Sequence, residues 1–207
     1  MPPKTKFKKE NIVSIAFDYV RQHGWDTLTT RYIALKLGST TRPIYSHFSS
    51  MTELKTTVME KVLQLYHDHQ FTPRSDDIFL DMGFGIVSFA QKEPELFKFM
   101  YDAQNMQIKK EYDEDFFLKI MEKLKDHPRL KEFDENIRKE FMFTMYVFTM
   151  GITTLIESGW IDNWSEDDII SVLHSTGLTQ YYGYLEKVRI AKTDSITDKA
   201  GLADKSK

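Results

Sequence analysis

The stretch TTRYIALKLGSTTRPIYSHF, residues 29–48, constrains the fold of this chain more than any other segment. Thr29 suits the N-cap of a short helix, and Gly38 stands where that helix ends and the chain turns. Thr40 is the expected N-cap of a second short helix. Apolar residues at helical spacing on the two helices are Ile33, Ala34, Leu37, Ile44, Tyr45 and Phe48. The pattern predicts a helix-turn-helix, whose second helix enters the major groove of DNA.

Charge and cysteine content narrow the class of protein further. The net charge is −3, but residues 1–69 hold ten Lys and Arg against six Asp and Glu, so only the first third is attracted to phosphate. The chain has no cysteine, which excludes disulfides and thiolate sites and fits a reducing compartment. The N-terminus lacks the apolar segment of a signal peptide, so we expect a cytoplasmic protein.

Helical periodicity continues along most of the 207 residues, and no segment alternates like a strand. The sequence predicts an all-α protein. Its expected first part is a three-helix helix-turn-helix head at 1–49, which begins with a basic N-terminal arm. A connecting helix at 50–70, a helical ligand-binding and dimerisation body at 71–188 and a mobile tail at 189–207 are expected to follow. The first helix is predicted from Lys9 to His23. A capping box of Ser50 and Glu53 opens the connecting helix.

Apolar periodicity predicts five helices within the body. Three are expected over about 76–92, over about 113–126 and through 141–156, and the other two are expected to begin at residues 94 and 165. Aromatic and Met side chains dominate the first three of these helices in chain order, a mixture that builds either an adaptable ligand cavity or a plain core. The predicted effector-binding residues are Ile86, Phe89, Met100, Tyr101, Phe117, Met121, Tyr146 and Met150.

Residues 141–156 form a run of sixteen residues without a charge. A membrane span needs roughly 18–20 apolar residues, so this run predicts a helix buried on most sides, with no membrane partner. Together with the final helix it is expected to form a four-helix interface in a homodimer. The predicted interface residues are Gly151, Leu155, Ile169, Leu173, Gly177, Tyr181 and Tyr184.

Catalytic and metal sites are not expected. The acidic clusters at 113–115 and 166–168 stand at predicted helix starts, where they complement the helix dipole. His67 and His69 are two residues apart, so on a helix they point in different directions and do not share a metal. We therefore predict no enzyme activity, no metal and no cofactor.

Residues 12–62 resemble the TetR/AcrR family of bacterial transcription regulators. The resemblance rests on Gly24 followed by an aromatic residue, on Thr29-Thr30-Arg31, Ile33-Ala34 and Gly38, and above all on Ile44-Tyr45-Ser46-His47-Phe48. It implies a dimeric repressor with a divergent helical body that binds a small molecule. The residues that it assigns to DNA binding are Thr29, Thr30, Arg31, Thr40, Thr41, Arg42, Pro43, Tyr45, Ser46 and His47.

Physical chemistry agrees with this assignment, since helix N-termini and hydroxyls bind phosphate and Arg42 has the reach to read guanine. Three positions depart from the family pattern. Pro43 offers no amide, Tyr32 replaces an acid that would complete a capping box, and Met51 stands where the family often places a phosphate-binding lysine. The last change predicts a weaker dependence of DNA binding on salt.

The predicted function is a repressor that a small, largely apolar ligand releases from a near-palindromic operator in double-stranded DNA. The connecting helix would carry the change from body to head, which requires two states with different ligand affinity. The alternative is a DNA-binding regulator whose body docks a protein instead of a small molecule.

Overall fold

A computed structural model describes residues 7–203, and no strand occurs within that range. Nine α-helices follow one another there, with a 3-10 helix at Leu130–Glu132 before the eighth. They are α1 (Lys9–His23), α2 (Thr30–Lys36), α3 (Arg42–His47), α4 (Met51–Gln70), α5 (Ile78–Lys92), α6 (Pro94–Tyr101), α7 (Met106–Leu124), α8 (Glu135–Glu157) and α9 (Glu166–Ala203). The all-α prediction is confirmed. No helix in this range is both long and apolar enough to cross a membrane.

The described chain divides into two compact units. The first runs up to Thr72 and also includes Gly85–Leu118, and the second comprises Pro73–Phe84 and the chain from Lys119 onward. The first unit therefore contains α1 to α4, α6 and parts of α5 and α7. The predicted functional division into head, connecting helix and body remains a prediction.

In the first unit, apolar side chains of the first four helices and of α6 form the core. Ile12, Ile33 and Ile44 are at most 1% exposed and pack α1, α2 and α3 together. Burying one such side chain contributes about 1.5–3 kcal/mol. Next to this core, Nε of Arg21 donates to a carboxylate oxygen of Glu93 at 2.6 Å, which ties α1 to the start of α6.

The helices α4 and α5 approach each other closely within the first unit. A Cβ added at Gly85 would lie 2.7 Å from Cα of Gln70 and 3.0 Å from the carbonyl oxygen of His69. Only glycine leaves room for the backbone of α4 at this crossing.

The second unit has an aromatic core between α8 and α9. Phe133 and Phe141 are each 2% exposed, and their rings contact each other and Tyr184, with centroids 5.8–6.2 Å apart. The ring of Phe79, at the start of α5, packs on Phe141 at 5.2 Å. Aromatic burial therefore joins the beginning of α5 to both long helices of this unit.

Several helix boundaries differ from the predicted ones. α5 begins at Ile78 instead of residue 76, because the Asp77 carboxylate accepts from the N–H groups of Phe79 and Leu80 and caps the helix. α7 begins at Met106, well before the predicted residue 113. α9 continues to Ala203, past the point where the sequence predicted a tail. Lys4 and Lys6 of the predicted arm, and residues 204–207, lie outside the described residues.

Candidate nucleic-acid interface

The start of α2 has the geometry of a capped helix with an exposed hydroxyl. Thr29 is its extended N-cap residue, and Oγ1 of Thr29 accepts a hydrogen bond from the Tyr32 N–H at 3.2 Å. The predicted cap is therefore confirmed. The side chain of Thr29 is exposed and that of Thr30 is half-buried, so the N-terminal amides of α2 face a region that a phosphate can reach.

The turn after α2 depends on Gly38. Gly38 has a φ of +61°, in the left-handed region that glycine adopts without steric cost. Its N–H donates to the Leu35 carbonyl at 3.0 Å. The N–H of Ser39 donates to the Ala34 carbonyl, also at 3.0 Å. This pair of bonds is a Schellman motif, which ends α2 and directs the chain into α3 as the sequence predicted.

α3 spans only six residues, from Arg42 to His47, and the core fixes its position. Thr41, with φ −73° and ψ −13°, is its N-cap residue, and its side chain makes no capping hydrogen bond. The prediction that Thr40 caps this helix is wrong, because the carbonyl of Thr41 accepts the first hydrogen bonds of α3, from the N–H groups of Ile44 and Tyr45. Pro43 lies in the first turn, where a missing N–H leaves no bond unmade.

None of the ten predicted DNA-binding side chains is buried. Arg31, Arg42 and Tyr45 are exposed, Tyr45 to 53%. Within residues 7–203, neither arginine forms an ion pair that would compete with a phosphate. The Ser46 hydroxyl donates to the Pro43 carbonyl at 2.7 Å. Of the remaining predicted residues, Thr29, Thr40 and Ser46 are exposed, and Thr30, Thr41, Pro43 and His47 are half-buried.

His47 makes a contact that the sequence did not predict. Its Nε2 lies 2.8 Å from the carbonyl oxygen of Phe7. A carbonyl only accepts, so Nε2 carries the hydrogen and donates it. The two residues are forty positions apart in the chain, and no local signal connects them. The bond joins the segment before α1 to the end of α3.

Lys9 lies beside the junction of α3 and α4. Its Nζ is 5.0 Å from the ring centroid of Phe48, and Phe48 is 1% exposed. The nearby Glu53 carboxylate accepts from the N–H and the hydroxyl of Ser49, each at 2.7 Å. These bonds are the main reason why the pKa of Glu53 is lowered, and the charge of Lys9 adds to the effect. The Ser50 hydroxyl accepts from the Glu53 N–H, so half of the predicted capping box is present.

The predicted effector-binding residues are divided between the two units. Phe89 and Met100 are almost fully buried in the first unit. Tyr146 belongs to the second unit and is 39% exposed, so it does not line the interior as predicted. Of the other predicted residues, Ile86 and Met121 are buried, and Tyr101, Phe117 and Met150 are half-buried. Ile86, Tyr101 and Phe117 belong to the first unit, whereas Met121 and Met150 belong to the second.

A buried polar cluster in the first unit escaped sequence analysis. Lys109 is 4% exposed, pairs with Asp113 one turn along α7, and lies 4.8 Å above the ring of Tyr101. Nε2 of His67 is 3.2 Å from Asp113, and its ring stacks on Phe116. Burial lowers the pKa of His67, although the bond to Asp113 opposes that shift. The i,i+4 spacing of Lys109 and Asp113 is the only trace of this cluster in the sequence.

No group of three or more metal-binding side chains occurs among residues 7–203.

Most residues of the predicted dimer interface lie inside the second unit. Ile169, Leu173, Tyr181 and Tyr184 are at most 8% exposed, because they form the second unit's own core. Gly177 packs against Met145 and Phe79 of the same unit. Of the predicted set, only Gly151 and Leu155 are exposed.

Known proteins provide an independent comparison. No family model matches the chain. The tetracycline repressor protein class C of Escherichia coli is 33% identical over 72 residues, which are 35% of this chain and 32% of that protein. The chain thus matches about a third of that relative's length. That relative is a repressor by name.

Solved structures share the fold over most of the chain. A protein of unknown function from Rhodococcus sp. RHA1 matches with a TM-score of 0.65 and 17% identity, over 88% of this chain and 98% of that one. A TetR variant from Acinetobacter baumannii, in complex with minocycline, matches with a TM-score of 0.54 and 15% identity, over 89% and 99%. The chain is thus similar to a tetracycline repressor over about a third of its length, and it shares its fold with a TetR structure over most of its length.

Proposed function

We propose that the protein is a cytoplasmic transcription regulator that binds double-stranded DNA through α2 and α3 and acts as a repressor. The observation that carries the proposal is the exposed start of α3, where Arg42 stands on a helix that Ile44 and Phe48 anchor in the core. A rigid short helix with a long, unpaired donor at its N-terminal end suits readout of base edges in the major groove. The hydroxyl and amides at the start of α2 suit a neighbouring phosphate.

Operator binding is proposed to involve a homodimer and a near-palindromic site. Phe143, Val147, Gly151 and Leu155 recur every four residues along α8 and form one outward stripe. Phe143 is 67% and Val147 53% exposed, and a Cβ at Gly151 would meet nothing within 4 Å. An apolar stripe with a glycine at its centre suits the close packing of a second helix. This stripe replaces most of the interface that the sequence predicted.

The proposed effector is a small, largely apolar molecule that weakens DNA binding. Support comes from the aromatic side chains around Lys109 in the first unit and from the Acinetobacter relative, which was solved with minocycline. The alternative is a body that docks a protein. A thermal-shift screen with a library of aromatic compounds distinguishes the two. The ligand proposal predicts a hit that raises the melting temperature and also weakens operator binding.

Selection of bound DNA from a random pool tests DNA recognition directly. The proposal predicts enrichment of a palindromic consensus. Arg42→Ala should then weaken binding to that consensus by about 1–3 kcal/mol and relax the preference at one base position, because a good side-chain contact to a base contributes that much. Lys110→Gln, which removes an exposed charge from α7, is the matched control and should bind like the wild type. Failure of the wild type to enrich any sequence would refute the proposed function.

A further inference from the structure

We propose that His47 is a positioning residue that holds residues 7–9 against the end of α3, so that Lys8 and Lys9 contact the phosphate backbone of bound DNA. The inference rests on the proposed DNA-binding function and adds a second basic contact region to it. It also assigns His47 a role within the protein, in place of the direct backbone contact that the family resemblance implied.

The first support is that two contacts from two residues fix the same segment. The His47 imidazole donates to the Phe7 carbonyl at 2.8 Å. Two residues later, the Lys9 side chain lies over the Phe48 ring with Nζ 5.0 Å from its centroid. Phe7 is half-buried, and its ring borders a surface groove formed with α1 and α2. Residues 7–9 are therefore connected to the C-terminal end of α3 through His47 and to the adjoining Phe48 through Lys9.

The second support is the location of the two lysine charges. Lys8 and Lys9 are both exposed, and within residues 7–203 neither forms an ion pair with a carboxylate at 4.0 Å or less. The Glu53 carboxylate is near Lys9 but is already bonded to the N–H and hydroxyl of Ser49. The segment thus presents a net positive charge to an approaching polyanion.

The third support is electrostatic. Lys8 is the N-cap residue of α1 and Lys9 its first residue, and Lys8 makes no side-chain capping bond. Positive charges at a helix N-terminus oppose the helix dipole, so this arrangement costs α1 some stability. A bound phosphate removes that repulsion, because it is attracted to both lysines and to the positive end of the helix.

The fourth support is the size of α3. A helix of six residues is about 9 Å long, whereas the major groove of B-DNA is about 12 Å wide. In the proposed binding mode, the Arg42 end of α3 reads the bases and the His47 end lies nearer to the phosphate backbone. Residues 7–9 are attached to that end of the helix. Lys8 and Lys9 therefore supply the basic contact that is missing at Met51.

The salt dependence of binding to the selected DNA tests the inference. Log K falls with log salt, and each lost phosphate contact makes this negative slope less steep by about 0.9. We expect the double substitution Lys8→Gln and Lys9→Gln to make the slope less steep by the equivalent of one to two phosphate contacts. Lys110→Gln should leave the slope unchanged. At pH 8, His47→Leu should also make the slope less steep, although it removes a hydrogen-bond donor and not a lysine. The amide of His47→Gln can still donate to the Phe7 carbonyl, so the slope of this variant should be close to that of the wild type.

Combining the substitutions separates positioning from general damage. In the His47→Leu background, Lys8→Gln and Lys9→Gln should have little further effect, since the lysines are no longer held in place. If the lysine substitutions reduced the salt dependence as much in the His47→Leu background as in the wild type, the proposed role of His47 would be wrong. An unchanged slope in the double lysine variant, with wild-type DNA binding intact, would overturn the whole inference while leaving the proposed function standing. Lys8 and Lys9 are exposed, so this variant gives an answer even if His47→Leu fails to fold.

Discussion

At the scale of single residues, Asp77 joins three segments of the second unit. Its Oδ1 caps α5 through the N–H groups of Phe79 and Leu80. Nε2 of His127 lies 3.2 Å from the same oxygen, and Arg129 donates to Oδ2 at 3.1 Å. The bond from His127 is the largest cause that lowers the pKa of Asp77 to about 2, and partial burial opposes it. The ionised carboxylate is therefore preferred in the folded protein.

The pKa of Asp77 gives a prediction about stability and pH. A carboxylate whose pKa falls on folding stabilises the protein above its unfolded pKa, near 3.8, and the contribution disappears as the pH falls toward 2. Asp77→Asn should lower the free energy of unfolding by about 1–2 kcal/mol at pH 7, a figure reduced for partial exposure of the group. The difference from wild type should shrink between pH 4 and pH 2, as urea titrations at several pH values would show.

Asp76→Asn is the matched control for this experiment. It removes the same charge one residue earlier, where the side chain is exposed, so its effect should stay within about 0.5 kcal/mol. Equal losses in the two variants at pH 7 would mean that the bonds of Asp77 contribute nothing specific.

The residue scale also shows which parts of the interface the sequence could predict. Thr29 and Gly38 were predicted correctly, because a cap and a left-handed turn depend on neighbours within five residues. The bond between His47 and Phe7 was not predictable, since the two meet only after α1 and α3 have packed on the shared core. The same holds for the stack of His67 on Phe116.

At the scale of helices, the crossing of α4 and α5 depends on Gly85. Replacement by alanine in an ordinary helix gains up to about 1 kcal/mol, because alanine is the better helix former. At Gly85 the new Cβ meets backbone atoms of α4, with Gln70 Cα at 2.7 Å. Backbone cannot move away as a flexible side chain can, so overpacking of about 1–3 kcal/mol outweighs the gain. We predict that Gly85→Ala lowers the melting temperature of the protein.

Gly183→Ala provides the comparison for that substitution. Gly183 also lies inside a helix, α9, but a Cβ there would meet nothing within 4 Å. This variant should be as stable as the wild type or slightly more stable. If thermal unfolding ranked the two alanine variants in the opposite order, the close approach of α4 and α5 would not limit stability.

Helix boundaries were predictable where caps and apolar spacing coincide, as for α1 and α4. α7 was predicted to begin at residue 113, because its first residues carry no apolar stripe. In the structure it begins at Met106, after a turn in which the buried Asn105 side chain donates to the Phe99 carbonyl at 2.6 Å. That contact links α7 to α6, and a tertiary bond of this kind leaves no periodic signal. α9 likewise extends to Ala203, beyond its apolar stripe.

At the scale of the whole molecule, the proposed operator binding depends on whether two chains associate. The stripe of Phe143, Val147, Gly151 and Leu155 is exposed in a single chain, and the ring of Tyr182 on α9 is 62% exposed as well. A two-fold axis places the same stripe on both partners, so one substitution alters the interface twice. A recognition helix from a single chain reads only half of a palindromic site.

Charge in the stripe is therefore predicted to abolish both association and tight DNA binding. Val147→Glu puts two carboxylates into the apolar contact of a symmetric dimer, where burial without a partner is unfavourable. Light scattering after size exclusion should give about the mass of one chain, 24.4 kDa, and the affinity for a full palindrome should fall to that for a half-site. Leu118→Glu makes the same kind of change at a 65% exposed position on α7 and should remain dimeric. A dimeric Val147→Glu variant would place the interface elsewhere, because an exposed valine outside a contact tolerates charge.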